Sequence, residues 1–144
     1  MTRFDTSVRI ALPIADVFAY LVDPLNFAHW NSAVEAVWPS PATDDETGST
    51  YTMERALPGG RVRNGLEVVT RVHPTEFAIR TTSGPTPFTY RYRLSEDHAG
   101  TVVRLDADVE FDGAAALLSP LLAGAVKRGV DANFAALKRT LEGR

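Results

Sequence analysis

The chain contains no cysteine, and that absence excludes disulfides, thiolate nucleophiles and every cysteine-based zinc or iron–sulfur site. Histidine is scarce, at three in 144 residues, and the three form neither an H-E-x-x-H nor any pair at metal-ligand spacing. There is no G-x-S-x-G, so serine-nucleophile hydrolysis has no signature here. The glycines make no phosphate cradle either, because Pro58-Gly59-Gly60 leads into a strand pattern and not into a helix. Neither a metal nor a cofactor is expected.

A long hydrophobic run is also missing. The most apolar stretch, Ala114 to Val126, is broken by Ser119-Pro120 and falls short of a bilayer span. Met1-Thr2-Arg3-Phe4-Asp5 is followed by alternating residues, where a signal peptide would carry an apolar block. Charge of one sign is lacking too: 15 basic residues against 18 acidic ones leave a formal charge of −3. That balance offers no bulk attraction for nucleic acid or an anionic membrane. The expectation is a cytoplasmic protein with no integral membrane segment and no nucleic-acid partner, with monomer and dimer both open. What the chain does have is apolar material. With 44% hydrophobic and 23% charged residues, it can build a core without staples, as one domain over residues 1–144.

Residues 2–12 alternate as a strand, with Phe4, Thr6, Val8 and Ile10 on one face. Pro13 then starts a short helix in whose first turn proline is tolerated and Asp16 meets the positive end of the dipole. Ile14, Val17, Phe18 and Leu21 give it one apolar stripe. Asp23-Pro24 supplies the N-cap and first residue of a second short helix reaching His29-Trp30. A strand over Ser32 to Trp38 follows, then an acidic, turn-rich loop from Pro39 to Gly48.

From 49 to 111 the pattern reads as consecutive antiparallel strands whose turns set their register. A hairpin centred on Pro58-Gly59 puts Arg55 opposite Val62, Met53 opposite Asn64, Tyr51 opposite Leu66 and Ser49 opposite Val68. A turn at His73-Pro74 puts Val72 opposite Thr75, Thr70 opposite Phe77 and Val68 opposite Ile79. Across Ser83-Gly84-Pro85, Thr81 meets Phe88, Ile79 meets Tyr90 and Phe77 meets Tyr92. Across Glu96–Gly100, Leu94 meets Val103, Tyr92 meets Leu105 and Tyr90 meets Ala107. Every junction keeps the mostly apolar set on one face, and a one-residue slip would turn a strand's set outward. The other face carries Glu54, Arg61, Arg63, Glu67, Arg71, Arg80, Arg91, Arg93, Arg104, Asp106, Asp108 and Glu110. A meander with one wet side needs an apolar layer on the other. The C-terminal segment supplies it, with Ser119-Pro120 as N-cap and first residue of a helix running to about Leu141. Its stripe is Leu122, Val126, Val130, Phe134 (or Asn133), Leu137 and Leu141, while Gly124 and Gly129 mark either a close approach to a sheet or ligand or a locally weak helix.

Three stretches carry a resemblance beyond this order of elements. Ala11-Leu12-Pro13-Ile14-Ala15-Asp16-Val17-Phe18-Ala19-Tyr20-Leu21-Val22-Asp23-Pro24, followed by Phe27-Ala28-His29-Trp30, resembles the opening of the START-like (SRPBCC) superfamily. Gly100-Thr101-Val102-Val103 is similar to the start of its last strand, and Leu137-Lys138-Arg139-Thr140-Leu141-Glu142-Gly143 to its closing helix. The likeness spans essentially the whole chain and is nearest to the polyketide cyclase/dehydrase-like branch. It implies an α+β helix-grip (START/Bet v 1-like) fold. In that fold a seven-stranded curved antiparallel sheet surrounds a long C-terminal helix, two short helices follow the first strand, and an apolar cavity lies between sheet and helix. Lipid and quinone carriers, aromatase/cyclases, hormone-binding proteins and co-chaperone-like modules share the fold, so the fold alone does not select a function.

The inner face offers Tyr51, Met53, Leu66, Val68, Phe77, Ile79, Tyr90, Tyr92, Leu105 and Val109 from the sheet, and Val126, Val130 and Phe134 from the helix. An apolar, aromatic lining with a few polar tips suits a small-molecule pocket, and equally a filled core. Arg55, Asn64, Tyr90 and Tyr92 are polar on that face, and a buried Arg or Asn needs a partner or water. Arg55 and Asn64 lie near the Pro58-Gly59 tip, either at a wet rim or placed to orient a ligand carbonyl, phenol or carboxylate with Arg55 as charge partner. The candidate ligand contacts are therefore Trp30, Tyr51, Met53, Arg55, Asn64, Leu66, Ile79, Tyr90, Tyr92, Leu105, Val126, Val130 and Phe134. No catalytic residue is assigned. His73 and His98 fall in turns at the far end of the sheet, and His29 is expected to support the helix–sheet junction. The leading expectation is binding of a small hydrophobic molecule, whether lipid, aromatic or polyketide-like. A polyketide cyclase or dehydratase in the same cavity is the alternative, and a co-chaperone-like or membrane-associated module a third.

Overall fold

The N-terminal alternation forms strand β1 (Thr2–Ile10), whose even positions face inward and odd positions face water. Helix α1 (Ile14–Leu21) buries Val17, Phe18 and Leu21 of the predicted stripe, with Tyr20 beside them. Pro13 is its cap residue, one position earlier than expected, with extended backbone that the pyrrolidine ring also fits. The second short helix is a 3-10 turn (Pro24–Asn26) running into α2 (Phe27–Trp30). Asp23 caps it as predicted, its carboxylate accepting from the Leu25 N–H at 3.0 Å. Strands β2 (Val34–Pro39), β3 (Thr50–Leu57), β4 (Gly60–Val72), β5 (Glu76–Ser83), β6 (Phe88–Asp97) and β7 (Gly100–Val109) follow, then helix α3 (Ser119–Glu142). The computed structural model describes residues 2–40, 49–57, 59–111 and 119–144. The acidic segment 41–48, Pro58, and the capping role expected of Ser119 lie outside the described residues and side chains.

All seven strands form one antiparallel sheet in the order β1-β7-β6-β5-β4-β3-β2, the curved helix-grip sheet. The β3–β4 pairs Tyr51–Leu66, Met53–Asn64 and Arg55–Val62 are those expected. So are Phe77–Tyr92 and Ile79–Tyr90 between β5 and β6, and Tyr90–Ala107, Tyr92–Leu105 and Leu94–Val103 between β6 and β7. Two local readings need correction. Strand β2 begins at Val34 and not at Ser32, because Ser32 and the Ala33 N–H bond to asparagine side chains. Between β4 and β5, Val68 meets Ile79 as expected, but Arg71 and not Thr70 faces Phe77. The turn holds three residues, and a bulge between Val68 and Thr70 absorbs the shift. Phe77, Ala78 and Ile79 of β5 are buried in succession, Ala78 on the face opposite to the other two, paired with Arg91.

Helix α3 supplies the second layer, burying Val130, Phe134, Leu137 and Leu141, and Asn133 as well. Polar fastenings fix where it lies. Lys138 Nζ donates to the Arg9 carbonyl at 2.6 Å, and Glu142 accepts the Ala11 N–H at 2.8 Å. Asp131 accepts from the Thr6 hydroxyl on β1 and from Lys127. The Thr6 bond first, then Lys127, holds the Asp131 carboxyl below the usual carboxylate range. These contacts give the helix's charged face a role that its spacing alone did not reveal.

Candidate functional site

Where the N-terminal half of α3 passes the sheet, the space between them is not filled. Sheet residues Met53, Arg55, Ile79, Phe88, Tyr90, Tyr92 and Val109, with Thr86 of the β5–β6 turn, form one wall of a cavity of about 220 Å³. Phe27, Trp30 and the α2–β2 segment Asn31–Val34 form another, and Val126, Gly129, Val130 and Asn133 of α3 close it. Of the candidate contacts, Trp30, Met53, Arg55, Ile79, Tyr90, Tyr92, Val126 and Val130 meet here. Tyr51, Asn64, Leu66, Leu105 and Phe134 do not line it and belong instead to the surrounding core. The reason is packing. Phe134 lies 6.3 Å from Tyr92 and 6.5 Å from Trp30, so three rings fill the space deeper along the helix. Room remains toward Val126 and Gly129.

Arg55 and Asn64, read together from the sequence, separate into different tasks. Asn64 is fully buried and wholly used. Its Oδ1 accepts from Arg55 Nε at 2.8 Å, and its Nδ2 donates to the Ser83 and Pro85 carbonyls at 3.0 Å each. It thereby holds the β5–β6 turn, in which Gly84 takes φ +94° and an added Cβ would come within 2.3 Å of the Arg63 carbonyl. Arg55 is 9% exposed, donates also to the Pro85 carbonyl at 2.9 Å, and lies 5.4 Å from the Phe88 ring centre. Among the described residues it has no carboxylate partner. Burial lowers its pKa, which marks a cation held away from water, although guanidinium remains protonated.

Tyr90 is half-buried because one side faces the cavity. Burial pushes its phenol up to about 12, although the Arg55 charge opposes that rise. Tyr92 is raised further, by burial first and by Tyr90 second. Both are neutral hydrogen-bond donors at physiological pH, not bases. No histidine, aspartate or glutamate lines the cavity among the described residues. His29 instead sits with Nδ1 3.5 Å from the Tyr20 hydroxyl, and His73 stacks edge-on against Phe18 at 5.2 Å. No group of three or more described acidic or histidine residues could hold a metal.

Sequence reasoning did not find the polar clasp on the helix side. Asn133 Oδ1 accepts from the Ser32 N–H and hydroxyl at 3.1 Å each, and its Nδ2 donates to Asn31 Oδ1 at 3.0 Å. The available signal was a polar residue on an otherwise apolar helical stripe. One turn earlier, Gly129 lines the cavity, is exposed, and has open space where a Cβ would stand. It therefore sits at the mouth between α3 and the α2–β2 segment. Gly129→Ala is expected to raise the melting temperature by a few degrees, since alanine gains about 1 kcal/mol of helix propensity and meets no obstacle. A lower melting point in a thermal scan would show that the mouth is already filled.

A curved antiparallel sheet gripping a long C-terminal helix across an apolar cavity defines the helix-grip, START/Bet v 1-like class. The chain belongs to the family described as polyketide cyclase / dehydrase and lipid transport, whose profile matches residues 1–142. Among similar solved structures, a protein from Thermus thermophilus shares 14% identity, with 99% of this chain and 98% of that one covered and a TM-score of 0.84. A START superfamily protein from Mycobacterium smegmatis shares 15% over 98% and 97% of the two chains, at TM-score 0.80. The Zhui aromatase/cyclase of a Streptomyces species shares 16% over 98% and 93%, at TM-score 0.76. These likenesses establish the fold. A search of curated protein sequences finds no match. No described helix is long and apolar enough to cross a membrane.

Proposed function

We propose that this protein binds a compact hydrophobic ligand, aromatic or polyketide-like, and holds a carboxylate, phenolate or carbonyl oxygen of that ligand at Arg55. The observation that carries the reading is a buried guanidinium on the wall of an apolar cavity, with no carboxylate to neutralise it among the described residues. Burying an unpaired charge is costly, and a ligand anion supplies the missing partner. Size narrows the class. The cavity is about half as large again as the ~150 Å³ that encloses benzene, so two fused rings fit better than a long acyl chain.

A second reading, cyclisation or dehydration of a polyketide, draws on the family description and on Tyr90 beside Arg55. A neutral phenol next to a guanidinium suits stabilisation of an enolate oxygen. The interaction-module reading gains nothing from the exposed Leu25, Trp38, Val72 and Leu121, which lie on four different elements.

The test is calorimetric titration of the protein with 2-naphthoate and with its neutral counterpart 2-naphthylmethanol. A single site that prefers the carboxylate by about 30-fold or more is expected from a buried ion pair. Equal affinity, or no binding of either, overturns the reading.

A further inference from the structure

Phe88, Tyr90 and Tyr92 follow one another on the inner face of β6, where the pleat turns Thr89 and Arg91 to the other side. Tyr90 pairs with Ile79 of β5 and Ala107 of β7, so its side chain stands toward the α3 layer. It lines the cavity and is only half-buried. Its hydroxyl makes no hydrogen bond among the described residues. Unlike the Trp30 indole nitrogen, which is fully enclosed, this hydroxyl keeps surface open to the cavity.

The ring is held where it is. Phe88 packs against it at 4.4 Å on a tilted plane, and Tyr92 meets it edge-on at 6.4 Å. The asparagine oxygens on the other walls are engaged. Asn31 Oδ1 accepts from the Ala33 N–H and from Asn133 Nδ2, and Asn133 Oδ1 takes both donors of Ser32. Tyr92 is 4% exposed and packed against Phe77 and Phe134, so Tyr90 offers the larger open face. Water satisfies an open hydroxyl while no ligand is bound. An aromatic ligand displaces that water, and a bare ring edge laid over the phenol strands it without a partner. A ligand oxygen at the same place restores the bond.

We propose that Tyr90 is a specificity-determining residue of the site, its hydroxyl donating to a second, uncharged oxygen of the ligand while Arg55 holds the first. This rests on the anionic-ligand reading and extends it to a chemical class. The ligand is an aromatic acid or phenolate that carries a further hydroxyl or keto oxygen. Arg55 lies over the Phe88 ring and Tyr90 is the next inward residue along the strand, so the two oxygens are held at separate points. Burial keeps the phenol protonated, with its pKa pushed up to about 12, so it donates throughout the neutral range. An otherwise identical aromatic acid without the second oxygen binds more weakly.

The test is calorimetric titration with 2-naphthoate and its hydroxy-substituted isomers, which share a ring system and differ by one oxygen. At least one isomer is expected to bind about tenfold tighter than 2-naphthoate, the worth of one hydrogen bond in a closed site. Tyr90→Phe should reduce that isomer to the affinity of 2-naphthoate. The substitution removes no hydrogen bond within the described protein, so the variant should melt with the parent. The chain has four tyrosines, so tyrosine labelled with ¹³C at Cζ gives four signals, of which Tyr90→Phe identifies one. The tighter isomer should shift that signal further than 2-naphthoate does. An isomer preference that survives in Tyr90→Phe, or that leaves the Tyr90 signal where 2-naphthoate puts it, overturns the inference. So does the lack of any preferred isomer. In each of these cases carboxylate-selective binding of 2-naphthoate leaves the Arg55 reading standing. If none of the probes binds, both fall.

Discussion

Asn64→Leu is expected to lower the melting temperature by about 10 °C. The substitution removes three hydrogen bonds, a buried one to Arg55 and part-buried ones to the Ser83 and Pro85 carbonyls. Each is worth about 1 kcal/mol net, and the one to the charged guanidinium somewhat more. The Ser83 carbonyl loses this partner, while Pro85 keeps Arg55. Leucine recovers part of the loss by burying apolar surface, leaving a net cost of about 3 kcal/mol. A chain of this length melts some 3–4 °C lower per kcal/mol. Asn64→Asp should also destabilise, because a carboxylate can still accept from Arg55 but turns a second oxygen toward the two carbonyls. Calorimetric melting curves decide the matter. A leucine variant that melts at or above the parent temperature would show that the inner face is a plain apolar core and that the bracket contributes nothing.

That pair of residues shows what could be read from the chain and what could not. The strict alternation of β3 and β4 placed Arg55 and Asn64 on the inner face, and the hairpin turns aligned most of the meander. Both rest on a period of two and on local turn chemistry. Which of the two polar residues is satisfied internally depends on carbonyls in the Ser83–Pro85 turn, 19 and 21 positions further along. No periodicity encodes that contact. The bulge at Val68–Thr70 escaped for a related reason, since the sequence around it keeps an acceptable pattern with or without one extra residue. Tyr51, Leu66, Leu105 and Phe134 point inward as expected. Whether an inward residue meets a cavity or a neighbour depends on where α3 comes to rest. Thr6–Asp131, Lys138–Arg9 and the Asn31–Asn133 clasp set that position, through pairs more than a hundred residues apart.

Arg55→Met separates the guanidinium's contribution to the ligand from its contribution to the fold. For the free protein two effects oppose each other. Asn64 Oδ1 loses its donor, a cost of about 1–3 kcal/mol for a buried acceptor. Against this, a desolvated cation without a carboxylate partner disappears, and an unbranched side chain of similar reach can lie along the Phe88 ring. The expected change in stability is within about 1 kcal/mol, a shift of only a few degrees. Binding has no such compensation. A naphthoate carboxylate in the variant is desolvated beside apolar walls with no cation to meet it, and truncating one side of a buried charge pair typically costs about 2–5 kcal/mol. The dissociation constant for 2-naphthoate should therefore rise by about a hundredfold or more, while that for 2-naphthylmethanol changes by less than about threefold. Calorimetric titration of both probes into both proteins completes the cycle. A parallel loss for the two probes would mean that the substitution deforms the cavity; a loss confined to the carboxylate assigns the selectivity to the charge on Arg55.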